Sequence, residues 1–156
     1  MILNVKGDLL KSGMDVLAHQ SNCKMGFGSG IAGQIRAVFP YAYEAFMNDK
    51  RKPHEKLGTF SLGHHFQGPM IFNLYGQMDY GREKKVYTDY DALESAFEMM
   101  MDYVINFEKE KRISVTIGIP KYMGCGLAGG DWSIVEEIID KLTDKYYHTI
   151  YIYELV

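Results

Sequence analysis

Ile113-Ser114-Val115-Thr116-Ile117-Gly118-Ile119, followed by Pro120-Lys121-Tyr122-Met123-Gly124-Cys125-Gly126-Leu127-Ala128-Gly129-Gly130-Asp131-Trp132, is the stretch that sets the fold class. The first seven residues are apolar and β-branched, which predicts a strand over 113–119 buried on both faces. A glycine-rich loop follows. Asp131 is then placed to cap a helix whose Ile134, Val135, Ile138, Ile139 and Leu142 recur at helical spacing.

The same order of strand, glycine loop and helix occurs earlier. Val16-Leu17-Ala18-His19 reads as a short buried strand, and Met25-Gly26-Phe27-Gly28-Ser29-Gly30 as the loop. Ile31, Ala32, Ile35, Val38 and Phe39 have helical spacing, and Pro40 breaks that helix or starts the next. Outward from these units, residues 2–6, 57–62, 69–75 and 148–153 read as further strands, and 78–87 as a polar loop. Thr88 with Asp91 resembles a capping box opening a long helix with Leu93, Phe97, Met100, Met101, Val104 and Phe107 inward. Alternating strands and helices predict one α/β domain over residues 1–156, with three α/β/α layers around a mixed sheet. Six strands are counted in this reading.

Bulk properties narrow the function classes. The 156 residues suit one domain, with 47% hydrophobic and 24% charged residues. A net charge of -3 argues against a general nucleic-acid coat, which needs a basic face. Cys23 and Cys125 lie in no CxxC pattern, so neither a structural zinc site nor a disulfide scaffold is expected. The N-terminal MILNVKGDLL lacks a long apolar segment, and no run approaches the roughly 20 apolar residues of a membrane span. The expectation is a soluble cytoplasmic protein without a membrane partner or cofactor.

Both glycine loops follow strands and precede helices, where ligands gather in α/β sheets. Glycines allow close backbone approach, and a helix start presents free N–H groups to an anion. Two such loops at one sheet edge suit a diphosphate. The spacing is not the dinucleotide-binding fingerprint, and no P-loop lysine follows, which excludes a nucleotide-kinase reading. No acidic cluster for magnesium is evident, so backbone N–H groups would carry anion recognition.

Taken in order, several pieces resemble the macrodomain family, in its compact branch of ADP-ribose 1''-phosphate phosphatases and terminal ADP-ribose protein glycohydrolase. They are Lys6-Gly7-Asp8-Leu9-Leu10, Ala18-His19 with Asn22-Cys23, Gly28-Ser29-Gly30-Ile31-Ala32, Ile71-Phe72-Asn73-Leu74-Tyr75-Gly76-Gln77, and Gly124-Cys125-Gly126-Leu127 with Asp131-Trp132. The resemblance implies that Asp8 accepts from the adenine amino group with Leu9 beside it. It implies that Asn22 contacts the distal ribose, and that Gly28, Ser29, Gly30, Ile31 and Ala32 line the diphosphate and that ribose. Gly124, Cys125, Gly126 and Leu127 would wrap the phosphates from the other side, with Tyr153 or Leu155 near the adenine.

Each assignment has an ordinary structural alternative. Asp8 forms a turn with Gly7, Asn22 caps a turn, or Tyr153 is plain core. The glycohydrolase branch places a lysine and an aspartate where this chain has Gly76-Gln77 and Ala128, which argues against a lysine adduct. Lys84 and Lys85 read as solvated, and His64-His65 as surface residues in a turn. The catalytic candidates are His19, Asn22, Asp131 and Gln77. Asp131 would orient or deprotonate a water, unless it only caps its helix; His19 sits at a strand end, unless it is a buried structural histidine. The leading expectation is a hydrolase that removes the 1''-phosphate from ADP-ribose 1''-phosphate. A glycohydrolase acting on ADP-ribosylated protein or nucleic acid, and a non-catalytic ADP-ribose reader, are the alternatives.

Overall fold

The structure, a computed structural model, describes residues Met1–Val156. Six strands form one sheet: β1 (Ile2–Lys6), β2 (Val16–Asn22), β3 (Phe60–Gly63), β4 (Met70–Gln77), β5 (Ile117–Pro120) and β6 (Ile150–Glu154), in the order β1-β6-β5-β2-β4-β3. All neighbours pair parallel except β3, which runs antiparallel on the edge beside β4. The mixed six-stranded sheet of the sequence reading is therefore present. β4 is buried along its whole length, as a strand covered on both faces must be.

Helices cover both faces. Behind one face lie α4 (Tyr90–Lys111) and α5 (Trp132–Tyr146), packed through Leu93, Phe97, Met100, Val135, Ile139 and Leu142 against Phe72, Leu74, Ile117 and Ile152. The other face is covered by α1 (Gly30–Val38) and α2 (Pro40–Asn48), where Ile35, Ala42 and Phe46 meet Leu17, Ile71 and Tyr75. A short α3 (Pro53–Lys56) and a 3-10 turn at Leu9–Lys11 complete this side.

Several boundaries differ from the sequence reading, for local reasons. The strand expected over 113–119 is ordered as a strand only from Ile117. Upstream, the Val115 N–H donates to Glu108 Oε2 at 2.9 Å, and the Thr116 N–H and hydroxyl both donate to Asp15 Oδ2. These side-chain clasps draw 113–116 out of the ladder. The helix expected to be capped by Thr88 is capped instead by Asp89, whose carboxylate accepts from the Ala92 N–H at 3.0 Å. Thr88 turns away and donates to the Gly124 carbonyl at 2.6 Å. β2 continues to Asn22 rather than ending at His19. β3 begins only at Phe60, because Leu57 ends α3 and Gly58 has φ +83.

The five parallel strands end at one edge. Gly7-Asp8, Asn22, Gln77, Pro120 and Glu154 are thereby brought together there. In open α/β sheets this edge is where a ligand crevice forms.

Candidate functional site

Three cavities lie in series along that edge. The proximal one, about 300 Å³, is lined by Asp8, Leu9, Ile31, Gln34, Tyr153 and Leu155 among others. The middle one, about 280 Å³, includes His19, Gly124, Gly126 and Leu127. The distal one, about 290 Å³, includes Asn22, Gly28, Ser29 and Ala32. Ile31 and Pro120-Lys121-Tyr122 are shared by the first two, and Gln20, Gln77, Leu127 and Ala128 by the last two. Shared walls make one elongated cleft of the three.

The two glycine loops face this cleft with free donors. The N–H groups of Gly28 and Ser29 on one side, and of Gly126, Leu127 and Ala128 on the other, have no acceptor within the protein. Ser29 stands at the N-cap of α1 but provides no side-chain cap, so the first-turn N–H groups of that helix are also open. Unpaired amides and an uncapped helix start are donors of the kind that suits an anion.

Gly28 and Gly126 have no other reason to be glycine. A Cβ at either would meet no protein atom within 4 Å, and neither has a positive φ. The left-handed backbone common in glycine-rich loops belongs instead to Gly30, Gly124 and Gly129, with φ of +56, +77 and +73. What Gly28 and Gly126 provide is bare backbone facing the cleft, beside the free amides.

A side-chain network holds the second loop in place. Gln20 Nε2 donates to Gln77 Oε1 at 2.7 Å and to Thr88 Oγ1 at 2.9 Å, and Thr88 holds the Gly124 carbonyl. Asn22, beyond a register shift in β2, folds the first loop. Its Oδ1 accepts from the N–H groups of Lys24 and Gly26, and its Nδ2 donates to the Gly26 carbonyl at 2.7 Å. Asn22 thus does cap a turn, while still lining the distal cavity with one amide proton left over.

His19 is buried and lines the middle cavity. Asn73 directs its amide protons to the Ala42 carbonyl and Ser61 Oγ, so its Oδ1 accepts from His19 Nε2–H at 2.6 Å. That fixes the tautomer and leaves Nδ1 with a lone pair and no partner. Burial pushes the imidazole down to about 4, against the Asn73 hydrogen bond that favours its protonated form. It is neutral at pH 7.

Asp131 takes the helix-capping alternative. Its Oδ1 accepts from the Ser133 N–H at 2.9 Å and from the Ser133 hydroxyl at 2.7 Å, and the hydrogen bonds from Ser133 hold its carboxyl below the ordinary value. It is the N-cap of α5 and lines none of the three cavities. Cys125 and Gly30 also fall outside the lining. The Cys125 side chain packs toward the α4–α5 core, and burial pushes its thiol up to about 11, so it is no nucleophile at neutral pH. Gly30 starts α1 and acts through the turn it permits. Asp8 lines the proximal cavity while its Oδ1 accepts from the Leu10 N–H at 2.9 Å.

The sequence reading missed Tyr80, Arg82 and Tyr87, which line the distal cavity from residues 78–87. That loop has no hydrophobic period to announce where it docks. The one signal in it is the pair of tyrosines, Tyr80 and Tyr87, at the two ends of its charged run.

No family model matches the chain. It is 32% identical over 151 residues to a 17.5 kDa protein from the tk-vs intergenic region of Enterobacteria phage T4, covering 90% of this chain and 89% of that one. An ADP-ribose 1''-phosphate phosphatase of Scheffersomyces stipitis is 28% identical over 170 residues, covering 90% of this chain and 94% of the yeast protein. Among solved structures, one from Bacteroides thetaiotaomicron superposes with a TM-score of 0.81 at 23% identity, covering 99% and 98% of the two chains. The macrodomain of Mycobacterium tuberculosis DarG superposes with a TM-score of 0.76 at 21% identity, covering 98% and 97%. The fold is that of macrodomains. The chain belongs to the macrodomain family.

Proposed function

We propose that the cleft binds ADP-ribose and that the protein hydrolyses ADP-ribose 1''-phosphate to ADP-ribose and inorganic phosphate. The observation that carries this is the pair of glycine loops with free N–H groups on opposite walls of one elongated cleft. Adenine belongs in the proximal cavity, where Asp8 accepts from its amino group beside Leu9, Tyr153 and Leu155. The diphosphate lies between the Gly28–Ala32 and Gly124–Leu127 segments. The distal ribose and its 1'' substituent enter the distal cavity beside Asn22. The name of the yeast relative agrees with this substrate.

In the hydrolytic step a water oxygen bonds to phosphorus as the phosphorus–oxygen bond to the ribose breaks. The free amide proton of Asn22 and the Gln77 side chain orient the distal ribose and the water. No carboxylate lines the middle or distal cavity. His19, neutral and with its Nδ1 unpartnered, lines the middle cavity and relays the proton of the attacking water to the departing ribose oxygen. The same lack of carboxylates favours, as a second reading, a module that binds ADP-ribose without turnover.

The test is a phosphate-release assay on ADP-ribose 1''-phosphate, with calorimetry on ADP-ribose. Saturable ADP-ribose binding with phosphate release is the expected result. Binding without release selects the reader; release of ADP-ribose from modified protein or DNA selects the glycohydrolase. Absence of both binding and release rejects the reading.

A further inference from the structure

The distal cavity has a roof that comes from neither glycine loop. Residues 79–88 leave the end of β4, cross the mouth of the cavity and return to start α4. The strap is pinned on both sides. The Tyr80 ring lies directly on the Gly26 backbone, where a Cβ would meet ring atoms at 2.8 Å. On the other side the N–H groups of Tyr87 and Thr88 donate to the Ala128 carbonyl at 2.7 and 3.2 Å. The Lys85 carbonyl sits against Gly129, 2.6 Å from where a Cβ would stand. At its origin Gln77 Nε2 donates to the Asp79 carbonyl at 2.8 Å.

Arg82 is carried at the middle of this strap and is the only charged side chain lining the distal cavity. It has no carboxylate partner within the chain; its neighbours Glu83 and Lys85 pair with each other at 3.4 Å. Across the cavity stand Ser29, at the uncapped start of α1, and Ser21, whose buried hydroxyl has no partner. The other charged groups of the cleft are Asp8 and Glu154 in the proximal cavity and Lys121, which lines both the proximal and the middle cavity and pairs with Glu154 at 3.6 Å. The distal chamber is thus a lined, roofed space with a free guanidinium, open N–H and O–H donors, and no anion.

We propose that Arg82 is the specificity-determining residue of the distal cavity, holding an anionic substituent of the distal ribose, a phosphate monoester, in preference to the free hydroxyl. The inference rests on the ADP-ribose reading of the cleft. A guanidinium presents a planar fork of donors that matches two phosphate oxygens, and such charge-assisted pairs are the stronger hydrogen bonds. The bare hydroxyl of ADP-ribose has no charge for that fork. Arg82 therefore ranks substrate above product, and loss of the phosphate loosens the product's hold on the roof.

The experiment compares two ligands by calorimetry: ADP-ribose, and its 1''-methylenephosphonate, from which phosphate cannot be released. Wild type is expected to bind the phosphonate about tenfold more tightly than ADP-ribose, the size of effect one good charge-assisted pair supports. Arg82→Gln removes that preference while changing ADP-ribose affinity by about twofold or less, and Arg82→Glu inverts it, since a carboxylate repels the phosphonate. A preference that survives unchanged in Arg82→Gln overturns the proposal, as does a wild type that binds the two ligands equally. Phosphate release from ADP-ribose 1''-phosphate by wild type is scored separately. Its absence rejects the phosphatase reading and leaves the ratio measurement valid, whereas a wild type that binds neither ligand rejects both.

Discussion

At the scale of single residues, the two aspartates the sequence marked out part company. Asp8 lines the proximal cavity while its Oδ1 accepts from the Leu10 N–H. Asp8→Ala is expected to weaken ADP-ribose binding by about 1–3 kcal/mol, the range for losing a hydrogen bond to a charged group. Calorimetry against ADP-ribose and an inosine analogue checks this, because selectivity for the adenine amino group falls with it. Unchanged affinity and selectivity would reduce Asp8 to a turn residue. Asp131 behaves oppositely. With its Oδ1 committed to Ser133, Asp131→Ala should lower stability through the lost N-cap, with ADP-ribose affinity unchanged. Denaturant midpoints and calorimetry on the same variant separate the two effects, and a fall in affinity without loss of stability would return Asp131 to the cleft.

At the scale of elements, the glycine loops carry the binding claim, and substitution tests them without touching the frame. Neither Gly28 nor Gly126 has a protein atom within 4 Å of its would-be Cβ or a positive φ. Gly28→Val and Gly126→Val should therefore fold with near-wild-type circular dichroism and melting temperature, yet lose ADP-ribose binding, because the new side chain occupies ligand space. Retained affinity in either folded variant would make that loop a mere connector. The loops themselves are legible in the amino-acid order, since strand, glycine run and helical spacing follow one another at both Val16–Phe39 and Ile113–Leu142. What is not legible is long-range. Nothing local in Thr88 shows that its hydroxyl serves Gly124, 36 residues away, nor in Thr116 that it clasps Asp15, 101 residues away. The strap over the distal cavity is illegible for the same reason: its docking depends on bare backbone at Gly26 and Gly129, which sequence spacing does not connect to Tyr80 or Lys85. Asp131 is ambiguous in the sequence because a cap and a catalytic carboxylate occupy the same position in the pattern.

For the whole molecule, the buried His19 couples the centre of the sheet to the helix above it. Its Nε2–H meets Asn73 on the neighbouring strand β4, and Asn73 in turn donates to the Ala42 carbonyl of α2 and to Ser61 of the edge strand β3. Charging the imidazole inside this frame is unfavourable, so the folded protein holds it down to about 4 from an ordinary 6.5, with burial as the leading cause. Below pH 6.5 the unfolded chain then binds this proton and the folded one does not. Stability is fully present above 6.5 and is lost as pH falls from there toward 4. Between pH 7 and 5 the loss from this one group is about 2 kcal/mol, taking about 1.4 kcal/mol for each pH unit below 6.5. Asp49 does not contribute in that window. The Arg51 hydrogen bond holds its carboxyl down to about 2, so its contribution disappears only below its ordinary 3.8. Urea unfolding of wild type and His19→Gln at pH 7 and 5 checks the assignment. The variant starts less stable, having lost ring packing against Phe27, but its stability falls less between the two pH values. Equal losses in the two proteins would place the acid sensitivity on other groups and leave His19 with a charge that the fold tolerates.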